Sequence, residues 1–156
     1  MISPEQLRRY PFFGVFDEQT LKAVAMLAND EALGDGQFVY ESGEAAGTVF
    51  LLAEGCVESY LVVEDPETPG RHKKFYLGDV NPGELFGISA LVEPYRHTTS
   101  TRVSGRARVI ALNAGGLRKL AEEDPRMGML LMQQVAKAAL ERLKNTRVEL
   151  AATRSG

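Results

Sequence analysis

Between Glu31 and Leu112 the chain alternates short β-prone runs with glycine-marked breaks, and this rhythm limits its fold more than any other feature. The runs are Phe38-Val39-Tyr40, Thr48 to Leu52, Val57 to Val63, Lys74 to Leu77, Thr98 to Val103 and Ala107 to Leu112. The breaks fall at Gly34-Asp35-Gly36, Gly43 to Gly47, Glu54-Gly55, Asp65 to Gly70, Asn81-Pro82-Gly83 and Ser104-Gly105. Glycine reaches positive φ without steric cost, so each break reads as a turn, and evenly spaced short strands predict a small antiparallel barrel or jelly roll.

Helical patterns flank this region on both sides. Asp17 is placed as an N-cap before Leu21, Val24, Ala25 and Ala28, which recur at helical spacing. Leu117 to Glu123 reads as a short helix, and Asp124-Pro125 then pairs a cap with a proline at the first helical position. A helix of some 25 residues should follow. Along it Met129, Met132, Ala136, Ala139, Leu143, Thr146 and Leu150 recur at alternating spacings of three and four, the seam of a short coiled coil. A second stripe, Leu131, Val135 and Ala138, runs beside the first. One stripe can pack on the barrel while the other meets a partner helix, which predicts a parallel homodimer; the alternative is one broad apolar face packed entirely on its own barrel. The chain is expected to form a single domain: N-terminal helices over 1–30, a β-roll over 31–112 and C-terminal helices over 114–150.

At 156 residues with 44% hydrophobic content, one compact core is expected. No apolar run approaches the roughly 20 residues that cross a bilayer. The start Met1-Ile2-Ser3-Pro4-Glu5 lacks the basic and apolar blocks of a signal peptide, so a cytoplasmic protein without a membrane partner is expected. The single cysteine, Cys56, reads as a small buried hydrophobe and cannot form an internal disulfide. A net charge of −3 argues against a nucleic-acid partner for this chain.

The segment Pro82-Gly83-Glu84-Leu85-Phe86-Gly87-Ile88-Ser89-Ala90-Leu91, with Gly43-Glu44, Val49 to Val57 and the Asp124-Pro125 helix in the same order, resembles the cyclic-nucleotide-binding domains of the catabolite-activator type. The resemblance runs from about residue 8 to 150, and over 82–102 it is to the phosphate cassette. It implies a mainly β fold with flanking α: an eight-stranded antiparallel β-roll, jelly-roll or cupin-like, with short N-terminal helices and a long C-terminal helix closing over the ligand. The ligand implied is a cyclic nucleotide, cyclic AMP or cyclic GMP, held by backbone N–H groups, by an arginine on the phosphate and by a glutamate on the ribose.

The residues that the resemblance singles out for ligand binding are Gly83, Glu84, Leu85, Phe86, Gly87, Ile88, Ser89, Ala90, Arg96, His97 and Thr98. Two of them depart from the family pattern. Ile88 stands where the ribose glutamate is expected, and an ungapped alignment through Arg102 puts His97, not Arg96, at the phosphate arginine; a one-residue loop deletion would put Arg96 there instead. An unpaired ribose hydroxyl would weaken binding by about ten- to a hundredfold. Three outcomes stay open: cyclic nucleotide held weakly, another small anion, or an empty roll serving a dimer. In this superfamily the domain also serves as the sensor of transcription regulators, but only Ala151 to Gly156 follow Leu150, too few for a DNA-binding domain unless the chain is a fragment. A cupin-type metal enzyme would need several histidines on facing strands, whereas the chain has only His72 and His97. No catalysis is therefore expected.

Overall fold

The structure, a computed structural model, describes residues 2–155. Four helices, α1 (Pro4–Arg8), α2 (Glu18–Ala25), α3 (Ala114–Glu123) and α4 (Pro125–Ser155), flank six strands. These are β1 (Ala28–Leu33), β2 (Phe38–Tyr40), β3 (Thr48–Glu64), β4 (His72–Val80), β5 (Leu85–Phe86) and β6 (Ser100–Asn113), with a 3-10 turn over Ile88–Leu91. All pairings are antiparallel: β1, β6, β3 and β4 lie side by side, β2 adds to β6, and β5 to β3. The mainly β architecture with flanking helices is thus as expected.

The expected eight separate strands appear as six. Two of the breaks, at Gly55 and at Ser104-Gly105, are bends inside continuous strands. β3 runs through Gly55, and the β3–β6 register shifts there, between Leu52 and Glu54 and again between Gly55 and Cys56. Gly55 has φ +92, and a Cβ on it would collide with the Arg106 carbonyl oxygen, so only glycine lets the two strands pass this closely. Other boundaries shift slightly. Ala28 opens β1 instead of ending α2, β6 begins at Ser100 instead of Thr98, and α4 has 31 residues. Cys56, read as buried, is half-buried on the bent strand; burial first, then the Asp79 and Glu58 carboxylates, push its thiol pKa up.

The caps form where the sequence placed them. Asp17 accepts from the Thr20 N–H at 2.8 Å, and Asp124 from the Met127 N–H at 3.2 Å. α3 adds a cap of its own, the Gly116 N–H donating to Asn113 Oδ1 at 2.8 Å.

The runs at the heart of β3 and β6 are buried on both faces, which is why they are apolar throughout and do not alternate. Val49, Leu51, Ile110 and Leu112 face a core shared with Phe13, Leu21, Leu117 and Leu131 of the flanking segments. Phe50, Leu52, Val109 and Ala111, one residue away in each case, face a second core inside the roll with Val57, Val80 and Phe86. One pair of strands therefore carries two cores, and the inner one forms the floor of the site.

Replacing Gly55 by alanine should lower the unfolding free energy from urea denaturation by at least the backbone cost of about 1–3 kcal/mol. Gly105, with φ +82 but no atom within 4 Å of an added Cβ, supplies the comparison. If Gly55→Ala costs no more than Gly105→Ala, the close strand crossing is not what requires glycine at Gly55.

Candidate functional site

The inner core ends in a cavity of about 280 Å³ beneath α4, just below the roughly 300–1,000 Å³ usual for ligand pockets. Its floor is aromatic. Phe50 and Phe86 stack at 5.3 Å between centroids, Tyr40 lies 6.1 Å from each, and His97 stacks face to face on Tyr40 at 3.7 Å and 10°.

Gly87, between β5 and the 3-10 turn, has φ +71, and a Cβ there would press on Phe50, Tyr40 and the Thr48 carbonyl at 3.1–3.3 Å. The bare backbone lets the Gly87 N–H donate to the Tyr40 hydroxyl at 3.1 Å. One amide of the cassette-like turn is thereby already occupied by a side chain. The Tyr40 phenol is held neutral, its pKa raised mainly by burial.

His97 is 6% exposed and fixed through its backbone to the 41–44 turn: its N–H donates to the Glu44 carbonyl at 3.0 Å, and its carbonyl accepts from the Gly43 N–H at 2.8 Å. Arg96, one residue earlier, points the other way. It is exposed, its guanidinium donates to the Gly43 carbonyl at 2.8 Å, and it does not line the cavity. Burial lowers the pKa of the His97 imidazole below its ordinary 6.5, with Glu44 opposing more weakly, so the ring is neutral at pH 7.

Of the residues singled out in the sequence, the structure brings Leu85, Phe86, Gly87, Ile88, Ser89, His97 and Thr98 to the cavity wall. Gly83, Glu84, Ala90 and Arg96 lie elsewhere. Gly83 and Glu84 form the preceding turn, where Glu84 accepts from the Asn81 N–H at 2.7 Å, and Ala90 is buried in the outer core. Sequence reasoning missed the hydroxyls of Tyr40, Ser59, Thr99 and Thr101, which adjacent strands supply from far apart in the chain. Thr101 is 1% exposed, and its hydroxyl, beside the Tyr40 phenol, makes no hydrogen bond of ordinary geometry. Among the described residues no group of histidine, cysteine and carboxylate side chains is placed to hold a metal.

α4 closes the cavity with Ala138, Ala139, Arg142 and Thr146. Two residues of the expected dimer seam, Ala139 and Thr146, seven apart on the helix, thus stand at the cavity, although Ala139 is exposed. The rest of that stripe faces outward: Met129, Met132, Leu143 and Leu150 are 66, 43, 44 and 54% exposed, and Ala136 is exposed with them. Leu131 and Val135, on the second stripe, are buried against the outer core, with Ala138 partly buried beside them.

A family model for the cyclic nucleotide-binding domain matches residues 31–124. Among solved structures, a candidate cyclic nucleotide-binding protein from Geobacter metallireducens is 34% identical, with a TM-score of 0.79 over 92% of this chain and 99% of that one. The regulatory domain of Toxoplasma gondii PKA, solved with cAMP, is 19% identical, with a TM-score of 0.71 over 87% of this chain and 48% of that one. A protein of Rhodopseudomonas palustris named as a candidate potassium channel is 24% identical over 135 residues, and the match spans 86% of this chain but only 31% of the channel protein. No helix among the described residues is long and apolar enough to cross a membrane.

A histidine whose folded-state pKa is depressed contributes stability that is complete above its unfolded pKa and is lost as pH falls through the folded value. The wild-type thermal midpoint should therefore drop as pH is lowered below about 6.5. His97→Phe, which keeps a ring on Tyr40, should flatten that acid limb. An acid limb equally steep in the variant would show that His97 is not its source.

Proposed function

Because the chain belongs to the cyclic nucleotide-binding domain family, we propose that it is a regulatory sensor domain whose roll takes a small ligand and whose α4 reports occupancy within a homodimer. The observation that carries this reading is the His97–Tyr40 stack. It fills the place where the family resemblance puts the phosphate arginine, while Ile88 fills the place of the ribose carboxylate. A neutral imidazole and an isoleucine offer neither the paired hydrogen bonds of a guanidinium nor an acceptor for a ribose hydroxyl. The retained backbone turn, the hydroxyl-lined walls and the helix over the opening support a pocket that still binds, with cyclic nucleotide at best a weak occupant.

The homodimer rests on the outward stripe of α4. Met129, Met132, Leu143 and Leu150 form an apolar row on a long helix whose other stripe is already buried, and a row of this kind is what a parallel coiled coil covers. Dimerisation through α4 would join two cavities through a single element, since Ala139 and Thr146 on the same helix line each cavity.

Two measurements test the proposal. Saturating cyclic AMP or cyclic GMP should leave the wild-type thermal midpoint in place, whereas the double variant Ile88→Glu, His97→Arg should gain binding, worth about 2.7 kcal/mol at one hundred times its Kd. Strong stabilisation of the wild type by either nucleotide would overturn the divergent-pocket reading. In sedimentation, the wild type should run as a dimer at micromolar concentration and the double variant Met132→Glu, Leu143→Glu as a folded monomer. A wild type that stays monomeric there would remove the dimer from the proposal.

A further inference from the structure

The cavity carries one permanent positive charge, and it comes from α4 instead of the cassette side. Arg142 lines the cavity with its side chain 27% exposed. Its guanidinium makes a single hydrogen bond among the described residues, Nη1 to the Asp79 carbonyl at 3.2 Å. Nη2 stands 3.8 Å from Glu84 Oε2, too far for a hydrogen bond. A guanidinium has five N–H donors in a planar fork, so most of them are unengaged. Glu84 is its ion-pair partner from outside the cavity lining, and no carboxylate lines the cavity itself among the described residues.

A second feature of the cavity is the Thr101 hydroxyl, fully buried beside the Tyr40 phenol and without a hydrogen bond of ordinary geometry. Buried polar groups are satisfied as a rule, so an orphan on a cavity wall marks a position that a ligand atom can fill. The space of about 280 Å³ suits a molecule of one ring or a short chain.

We propose that the ligand of this roll is a small organic oxyanion, carboxylate or phosphate, whose charged group is bound by Arg142 of α4 and whose other polar end hydrogen-bonds to Thr101. The inference rests on the sensor reading above and specifies its ligand class. It reverses the polarity that the resemblance implies, with the anion at the helix lid instead of the turn beneath the roll. Because Arg142 also holds α4 to the Asp79 carbonyl, the anion engages the group that ties the helix to β4.

Thermal midpoints of the purified protein are compared with benzoate, with its uncharged isostere benzamide and with inorganic phosphate. Benzoate or phosphate should raise the wild-type midpoint while benzamide does not, and the anion that acts separates carboxylate from phosphate recognition. Arg142→Gln should weaken that anion about ten- to a hundredfold, measured against the variant's own unliganded midpoint, and Arg142→Lys should recover part of the affinity. Equal shifts with benzoate and benzamide, an unchanged affinity in Arg142→Gln, or no shift with either anion would overturn the assignment. Should Arg142→Gln unfold, the 15N–1H signal of the Arg142 Nε in the wild type decides, moving on titration with the anion if the assignment holds and staying fixed if it does not. Mass spectrometry of small molecules released on denaturation separates the two levels: a neutral compound sinks the Arg142 assignment and leaves the sensor reading standing. A protein that releases nothing and binds no probe loses both.

Discussion

The antiparallel pairing of β3 with β6 is the constraint on which the rest depends. From Thr48 opposite Asn113 to Tyr60 opposite Ser100, these two long strands run together and are buried on both faces over their central residues. Strand periodicity sends Val49 and Leu51 to the helical side and Phe50 and Leu52 to the roll, so a one-residue slip would exchange the two cores. The bend at Gly55 lets the same pair curve around the cavity without ending.

The inner core also explains why the pocket is small and weakly charged. Phe86 and Tyr40 line it, Phe50 stacks on Phe86 from the inner core behind, and His97 stacks on Tyr40 at 3.7 Å. A ring so placed is desolvated, which lowers its pKa and leaves it neutral at pH 7. The turn beneath it keeps its left-handed glycine, yet the amide that this glycine presents is bonded to the Tyr40 hydroxyl. The polar groups at the cavity are hydroxyls on its walls and the Arg142 guanidinium on α4.

α4 connects this chemistry to the outside. Leu131 and Val135 dock it on the outer core, Arg142 ties it to the Asp79 carbonyl, and Met132 and Leu143 face away from both. Arg118 of α3 makes a parallel link by donating to the Ala90 carbonyl at the 3-10 turn at 2.6 Å and stacking over the Tyr95 ring at 4.0 Å. Cavity lining and outward stripe thus share one helix, α4.

Much of the fold was legible in the residues themselves. Asp17 and Asp124 announce helices because capping is satisfied within three positions, and the unbroken apolar runs at Val49 to Leu52 and Val109 to Leu112 announce doubly buried strands. The two stripes of α4 were also readable, as helical spacing depends on sequence separation alone. Whether Gly55 turns the chain or merely bends it was not readable, since the answer lies in how closely Arg106 passes it. Nor could sequence choose between Arg96 and His97, find Tyr40 and Thr101, or place Arg142 at the cavity. Those contacts join residues 47 positions apart for Tyr40 and Gly87 and 63 for Arg142 and Asp79, so they exist only once the strands have paired and α4 has docked. Sequence determined the backbone outline through short-range propensity, caps and periodicity; tertiary packing alone decided which side chains fill it, because burial and stacking are properties of neighbours in space.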